Sequence, residues 1–204
     1  MTPLKELGIS PTTLADIGAN CGSFTREAMA AWPGIKAVMI EANDACAPYL
    51  FDVGMPYHIA CLGSDAREVT FYKRKGGGTD TGNSYYRELT PFFNDASIEP
   101  VTVTLQTLPQ VVGPDAKFDL IKLDTQSSEL DIIRGGLEIV QRAKWVLMEV
   151  SIVPYNENAP LWDEVMMFMS EIGFTCHQSV GDICHPLERT LIQRDVLFTN
   201  NRPG

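Results

Sequence analysis

Four stretches of the chain end in residues whose types and spacing suit a ligand with several functional groups. In ADIGANCG, Asp16, Gly18, Asn20 and Gly22 follow the apolar run of Leu14, Ala15 and Ile17. Glycines there let backbone approach a ligand. The dinucleotide pattern G-x-G-x-x-G is absent, and an anionic Asp16 would repel a phosphate but attract an ammonium. Glu41 closes IKAVMIE 19 positions after Gly22. An acid at about that distance from a glycine loop accepts hydrogen bonds from ribose hydroxyls, two oxygens suiting two vicinal groups. Asp124 and Glu149 end FDLIKLD and KWVLME. Carboxylates so placed are candidates for a general base acting on a hydroxyl, or for oxygen ligands of magnesium. Plainer accounts stay open for each: an Asp/Asn turn bonded to its own backbone, an exposed strand-end acid, or a loop organiser.

The elements that must position these residues alternate. An apolar strand at 13–17 leads through the glycine loop into a helix capped by Ser23 and ended by Pro33 and Gly34. A strand at 35–42, a weaker helix at 44–53 and a strand at 57–63 follow. By the strand-end rule for open sheets, Leu62, Gly63 and Ser64, with Asn43, line the same edge. Residues 68–73 and 101–105 alternate as exposed strands, and between them GGGTDTGNS, residues 76–84, predicts a mobile loop, either a lid or a surface tip. A short helical turn at 107–112 precedes the strand at 118–124. The next helix, capped by Ser127 or Ser128, carries Leu130, Ile133, Leu137 and Val140 on one face. Gly135 and Gly136 inside it cost about 1 kcal/mol each and predict close packing or a kink. After the strand at 144–151, Asn158 and Pro160 open a helix that Gly173 closes; 174–180 and 194–199 then form a hairpin with no intervening helix, an antiparallel edge.

With 204 residues and 45% hydrophobic content, one domain with a substantial core is expected, residues 1–11 being a lead-in segment. No apolar run approaches the roughly 20 residues of a membrane span, and the start lacks a basic segment followed by an apolar one, so a cytoplasmic protein without membrane partners is expected. A net charge of -10 argues against a broad nucleic-acid surface, leaving only a local patch at Lys73, Arg74 and Lys75. Five cysteines without a C-x-x-C pair predict no disulfide framework. Cys176-His177 and Cys184-His185 form a zinc-like cluster, but adjacent strand residues point to opposite faces.

The D-x-G-x-N-x-G run resembles the first motif of class I S-adenosylmethionine-dependent methyltransferases. The ordered series DIGANCGSF (16–24), IEAN (40–43), IACLGSDAREVTFY (59–72), TGNSYY (81–86), IKLDTQSSELDIIRGG (121–136) and VLMEV (146–150) resembles the FkbM-type methyltransferase family. That resemblance implies a Rossmann-like α/β fold: a seven-stranded, mostly parallel sheet of order 3-2-1-4-5-7-6 with an antiparallel final strand and helices on both faces. It also implies S-adenosylmethionine as cofactor and O-methylation of a hydroxyl on a sugar, polyketide or other small molecule. Two positions depart from the pattern: Ser127 stands where a glycine or small residue is common, and Gln106 where an acid is common. The alternatives are a noncatalytic S-adenosylmethionine-binding protein and a nicotinamide-dependent oxidoreductase.

Overall fold

A computed structural model describes residues 1–90, 93–185 and 189–202. A short helix α1 (Thr2–Glu6) leads into β1 (Thr13–Ile17), α2 (Ser23–Ala31), β2 (Lys36–Glu41), α3 (Ala47–Phe51) and β3 (Tyr57–Ile59). Then come β4 (Glu68–Arg74), β5 (Ile98–Thr104), α4 (Leu108–Val112), β6 (Leu120–Leu123), α5 (Glu129–Gly135) and α6 (Leu137–Val140). The chain closes with β7 (Trp145–Ser151), α7 (Trp162–Glu171), β8 (Phe174–Cys184) and β9 (Leu191–Asn200).

Seven strands make one sheet, β3-β2-β1-β6-β7-β9-β8, while β4 and β5 pair separately. Counted without that separate pair, the order is the expected 3-2-1-4-5-7-6. Strands β1 and β6 are apolar and buried nearly throughout because helices cover both faces. Alternation sorts their side chains. Leu14, Ala37, Leu120, Leu147 and Leu197 pack towards α1 and α2, whereas Ala15, Ile17, Ile121, Leu123 and Val146 pack towards α4 to α7. Strands β1, β2, β3, β6 and β7 are mutually parallel, so their carboxyl ends meet along one edge. Only β9 runs against β7, with β8 antiparallel to it, as the absence of a helix between them predicts.

Several expected boundaries move for local reasons. The third strand stops at Ile59 because the chain leaves β2 and pairs instead with the segment after β5, Gln106 N–H donating to the Cys61 carbonyl and Gly63 N–H to that of Gln106. The helix expected at 44–53 begins as a 3-10 turn (Asp44–Cys46) capped by the Asn43 side chain. The helix expected from Asn158 starts at Trp162, since Asn158 has φ +57° and Pro160 disfavours a helical residue before it. Neither expected serine cap forms. Gly22, with φ +78°, is the N-cap of α2, and Ser128 occupies the N-cap of α5 without a side-chain cap bond. The two helical glycines do both things expected of them: the helix breaks at Gly136, and a Cβ at Gly135 would lie 2.1 Å from the Gly63 carbonyl oxygen. The hairpin strands are longer than expected, and their register shifts three times, twice by an extra residue on β8 and once by one on β9.

Candidate active site

At the carboxyl edge of the sheet lies a cavity of about 490 Å³, a size suited to a small molecule. Its near end is built from the loops after β1 and β2. Glu41 sits between them: its Oε2 accepts from Asn20 N–H and its Oε1 from Asn43 N–H, each at 2.8 Å. Burial raises its pKa, and the two amides only partly offset that. Ile40, Ala42, Ala60 and Leu62 make the adjoining wall apolar. Gly18, with φ +73°, is required rather than tolerated, because a Cβ there would lie 1.8 Å from the Asp124 carbonyl oxygen.

Of the residues the sequence singles out, Gly18, Asn20, Glu41, Leu62, Asp124 and Glu149 line this cavity. Asp16, Gly22, Asn43, Gly63 and Ser64 do not. Asp16 is fully buried on the α2 side, where its Oδ2 accepts from the Thr25 hydroxyl at 2.7 Å and its Oδ1 lies 3.3 Å from Lys122 Nζ. The expectation that Asp16 offers its charge to a ligand ammonium is therefore corrected: strand alternation turns it under the sheet, and a lysine neutralises it. Gly22 makes room for Val53, whose Cγ2 would be 2.6 Å from a Cβ. Asn43 supports Glu41 from behind and caps the 3-10 turn. Gly63 packs on Leu105, and Ser64 accepts from Arg67.

Lys122, which no sequence signal singles out, organises the middle of the site. It is buried, donates to the Gly18 carbonyl at 2.7 Å and lies 3.4 Å from Asp124 Oδ2. Burial alone would lower its pKa, yet the Asp16 and Asp124 carboxylates raise it above the ordinary lysine value. One cation thus ties β1, its glycine loop and the end of β6. The strand expected at 118–124 contains Lys122, but nothing local says that a buried acid stands beside it.

Beyond Asp124 lies Glu149, and the Gln126 amide spans the pair, 3.4 Å from Asp124 Oδ1 and 3.1 Å from Glu149 Oε2. Burial first, then the nearby Asp124, Glu129 and Asp195, raise the Glu149 pKa well above the ordinary carboxyl value. Glu129 accepts from Thr125 N–H at 2.7 Å, and burial pushes its pKa up to about 7. An amide N–H aimed at both cavity carboxylates does not fit the oxygen-rich shell that magnesium takes. Among the described residues no group of three or more His, Cys, Asp or Glu side chains could hold a metal, Cys176, His177, Cys184 and His185 included.

The far wall comes from β4, the loop after it and the β7–α7 connection, which supply Phe71, Arg74, Glu88, Phe93 and Tyr155. The loop at 76–84 lies across the cavity. Asn20 Nδ2 donates to the Thr79 carbonyl at 2.9 Å, Asn43 Nδ2 to that of Gly78 at 2.7 Å, and Ser84 Oγ to that of Gln126 at 2.8 Å. The basic patch is spent internally: Lys73 pairs with Asp44, Arg74 lies over Phe93, and Lys75 donates to the Asp95 and Ala96 carbonyls. Of the two departures from the family pattern, Gln106 is exposed and off the cavity. Ser127 has φ +82°, a conformation that favours glycine, and its buried hydroxyl has no hydrogen-bond partner.

Residues 16–176 match the Methyltransferase FkbM domain family. The chain belongs to that family. Among solved structures, this FkbM domain is similar to a methyltransferase FkbM from Methylobacillus flagellatus KT, at 14% identity and TM-score 0.55 over 93% of this chain and 43% of that one. The chain therefore spans less than half the length of that relative. It is also similar to magnesium protoporphyrin IX methyltransferase from Synechocystis PCC 6803, solved with bound SAM, at 9% identity and TM-score 0.58 over 98% and 75% of the two chains. A third similar structure is the 1,6-didemethyltoxoflavin-N1-methyltransferase of Burkholderia thailandensis with bound S-adenosylhomocysteine, at 13% identity and TM-score 0.52, again over 98% and 75%. At these identities the likeness concerns the fold. Comparison with curated proteins gives no match. No helix among the described residues is long and apolar enough to cross a membrane.

Proposed function

We propose that this FkbM domain transfers a methyl group from S-adenosylmethionine to a hydroxyl of a small molecule such as a sugar or polyketide-type metabolite. The observation that carries this reading is one cavity with a buried, amide-braced Glu41 at one end and the Asp124–Gln126–Glu149 group at the other. The residues fit the cofactor. Glu41 has lone pairs left for ribose hydroxyls beside an apolar wall, and Asp124 supplies a carboxylate for an amino group. Bound S-adenosylmethionine supplies a methyl group made electrophilic by its sulfonium.

The chain's own part is alignment, exclusion of water and proton removal. Glu149 takes the acceptor hydroxyl's proton, because it lines the cavity with both its amide bonds on Oε2, and burial makes it a stronger base than an ordinary carboxylate. Asp124, held by Lys122, serves binding rather than proton transfer. The loop at 76–84 covers the cavity while the acceptor sits against Phe71, Phe93 and Tyr155.

The test is calorimetry with S-adenosylmethionine, followed by mass-spectrometric detection of a 14-dalton gain, roughly one methylene, across a panel of hydroxylated acceptors. Glu149→Gln is expected to keep cofactor affinity and lose about 10²-fold in turnover. Binding with no transfer to any acceptor would favour a noncatalytic binding protein. No binding at all would sink the cofactor reading.

A further inference from the structure

Two glutamine amides converge on a single oxygen of Glu149. Gln193 Nε2 lies 2.7 Å from Glu149 Oε2, and Gln126 Nε2 lies 3.1 Å from the same atom. Oε1 accepts no hydrogen bond from the described residues, although Glu149 lines the cavity. Gln193 itself lines the cavity at only 4% exposure. It comes from the edge hairpin, almost at the far end of the sequence from the cofactor loop. The antiparallel register sets Ser151 opposite Gln193 and Glu149 opposite Asp195. Residues two apart on facing strands share one face of the sheet, so Gln193 is the diagonal neighbour of Glu149.

We propose that Gln193 is a positioning residue for the transfer reaction: with Gln126 it clamps Oε2 of Glu149 and so presents Oε1 to the acceptor hydroxyl. This rests on the reading of Glu149 as the proton acceptor. The clamp answers a specific electrostatic problem. Glu149 is surrounded by Asp195 on β9, Glu129 on α5 and Asp124 at the end of β6, with Lys122 on β6 the nearby cation and Tyr155 beyond β7. Burial and three acids all favour the protonated form. An amide N–H can donate to the ionised carboxylate without adding charge, and so keeps a usable base in a site that would otherwise hold the proton. Gln193 also gives the antiparallel edge a chemical purpose, because β9 is the strand that reaches back beside Glu149.

The test follows the Glu149 carboxyl by carbon-13 NMR in protein labelled at glutamate, its signal assigned by disappearance in Glu149→Gln. In Gln193→Leu the Glu149 midpoint is expected to rise by about one pH unit. The pH profile of methyl transfer, run with an acceptor from the hydroxyl panel, should rise with it, while S-adenosylmethionine affinity stays within about two-fold. Gln193→Met, which keeps the chain length and removes the donor, replaces the leucine variant if that one does not fold. An unchanged Glu149 midpoint in a folded variant would overturn the proposal. So would a carboxyl midpoint that moves while the transfer profile does not; that result would also remove Glu149 as the base. Loss of cofactor binding in the unmodified protein is a separate outcome, and it strikes the cofactor reading rather than the contact.

Discussion

The two ends of the cavity are built in opposite ways. At the near end, Gly18, Asn20, Glu41 and Asn43 fall within one strand–helix–strand unit, and Glu41 is braced by two backbone amides. Backbone donors are fixed by the fold of the loops themselves, so the bracing of Glu41 depends little on the far end. At the far end, Asp124, Gln126, Glu149 and Gln193 come from β6, the loop after it, β7 and β9, and side chains satisfy side chains. Such an arrangement exists only when the whole sheet has closed. Substitutions of single side chains on separate elements therefore alter the far end more readily than the near end.

Lys122 touches groups of both ends, and removing it should have the largest effect. Lys122→Met leaves Asp16 buried without its cation, and breaking a buried pair by removing one partner costs about 3–5 kcal/mol. Urea unfolding should show that loss, and Asp16→Asn in the same chain should recover part of it. Independence of the two sites, with no recovery, would mean the ends are not coupled through this lysine.

Next in size is the contrast between the two far-end carboxylates. Asp124→Asn should weaken S-adenosylmethionine binding by about tenfold with turnover at saturation little changed, because a carboxylate holds an ammonium better than an amide does. Glu149→Gln should do the reverse. Equal behaviour in steady-state kinetics would erase the division of labour between them.

At the near end, Glu41→Ala removes hydrogen bonds to a charged acceptor worth roughly 1.5–3 kcal/mol, so cofactor affinity should fall by about ten-fold to more than a hundred-fold. Calorimetry giving the wild-type affinity would move the ribose elsewhere. The smallest expected effect concerns the loop at 76–84, tied to Asn20 and Asn43 through its Thr79 and Gly78 carbonyls. Its amides should exchange more slowly by several-fold when cofactor is bound. Identical exchange with and without ligand would leave it a surface feature unconnected with either end.

The same contrast separates what neighbours along the chain set from what the closed fold sets. Strand β1, its glycine turn and Glu41 are legible because short-range signals set them: a buried apolar run, a conformation that only glycine tolerates at Gly18, and an acid at a fixed distance along a parallel unit. The sheet order was legible only through the family resemblance. By itself the sequence therefore determined the strand–loop–helix–strand unit and the placement of Gly18, Asn20 and Glu41 on the cavity edge of the sheet.

Only the tertiary structure decided the rest. Asp16 looks like a ligand contact until Lys122 and Thr25 are found against it. The expected last strand, 194–199, stops one residue short of Gln193, and no local signal says that this amide will lie 2.7 Å from Glu149. The physical reason is the range of the forces involved. Backbone conformation and strand burial are set by neighbours along the chain, whereas a buried charge takes its state from whichever groups the fold brings within a few ångströms, however distant they are in sequence.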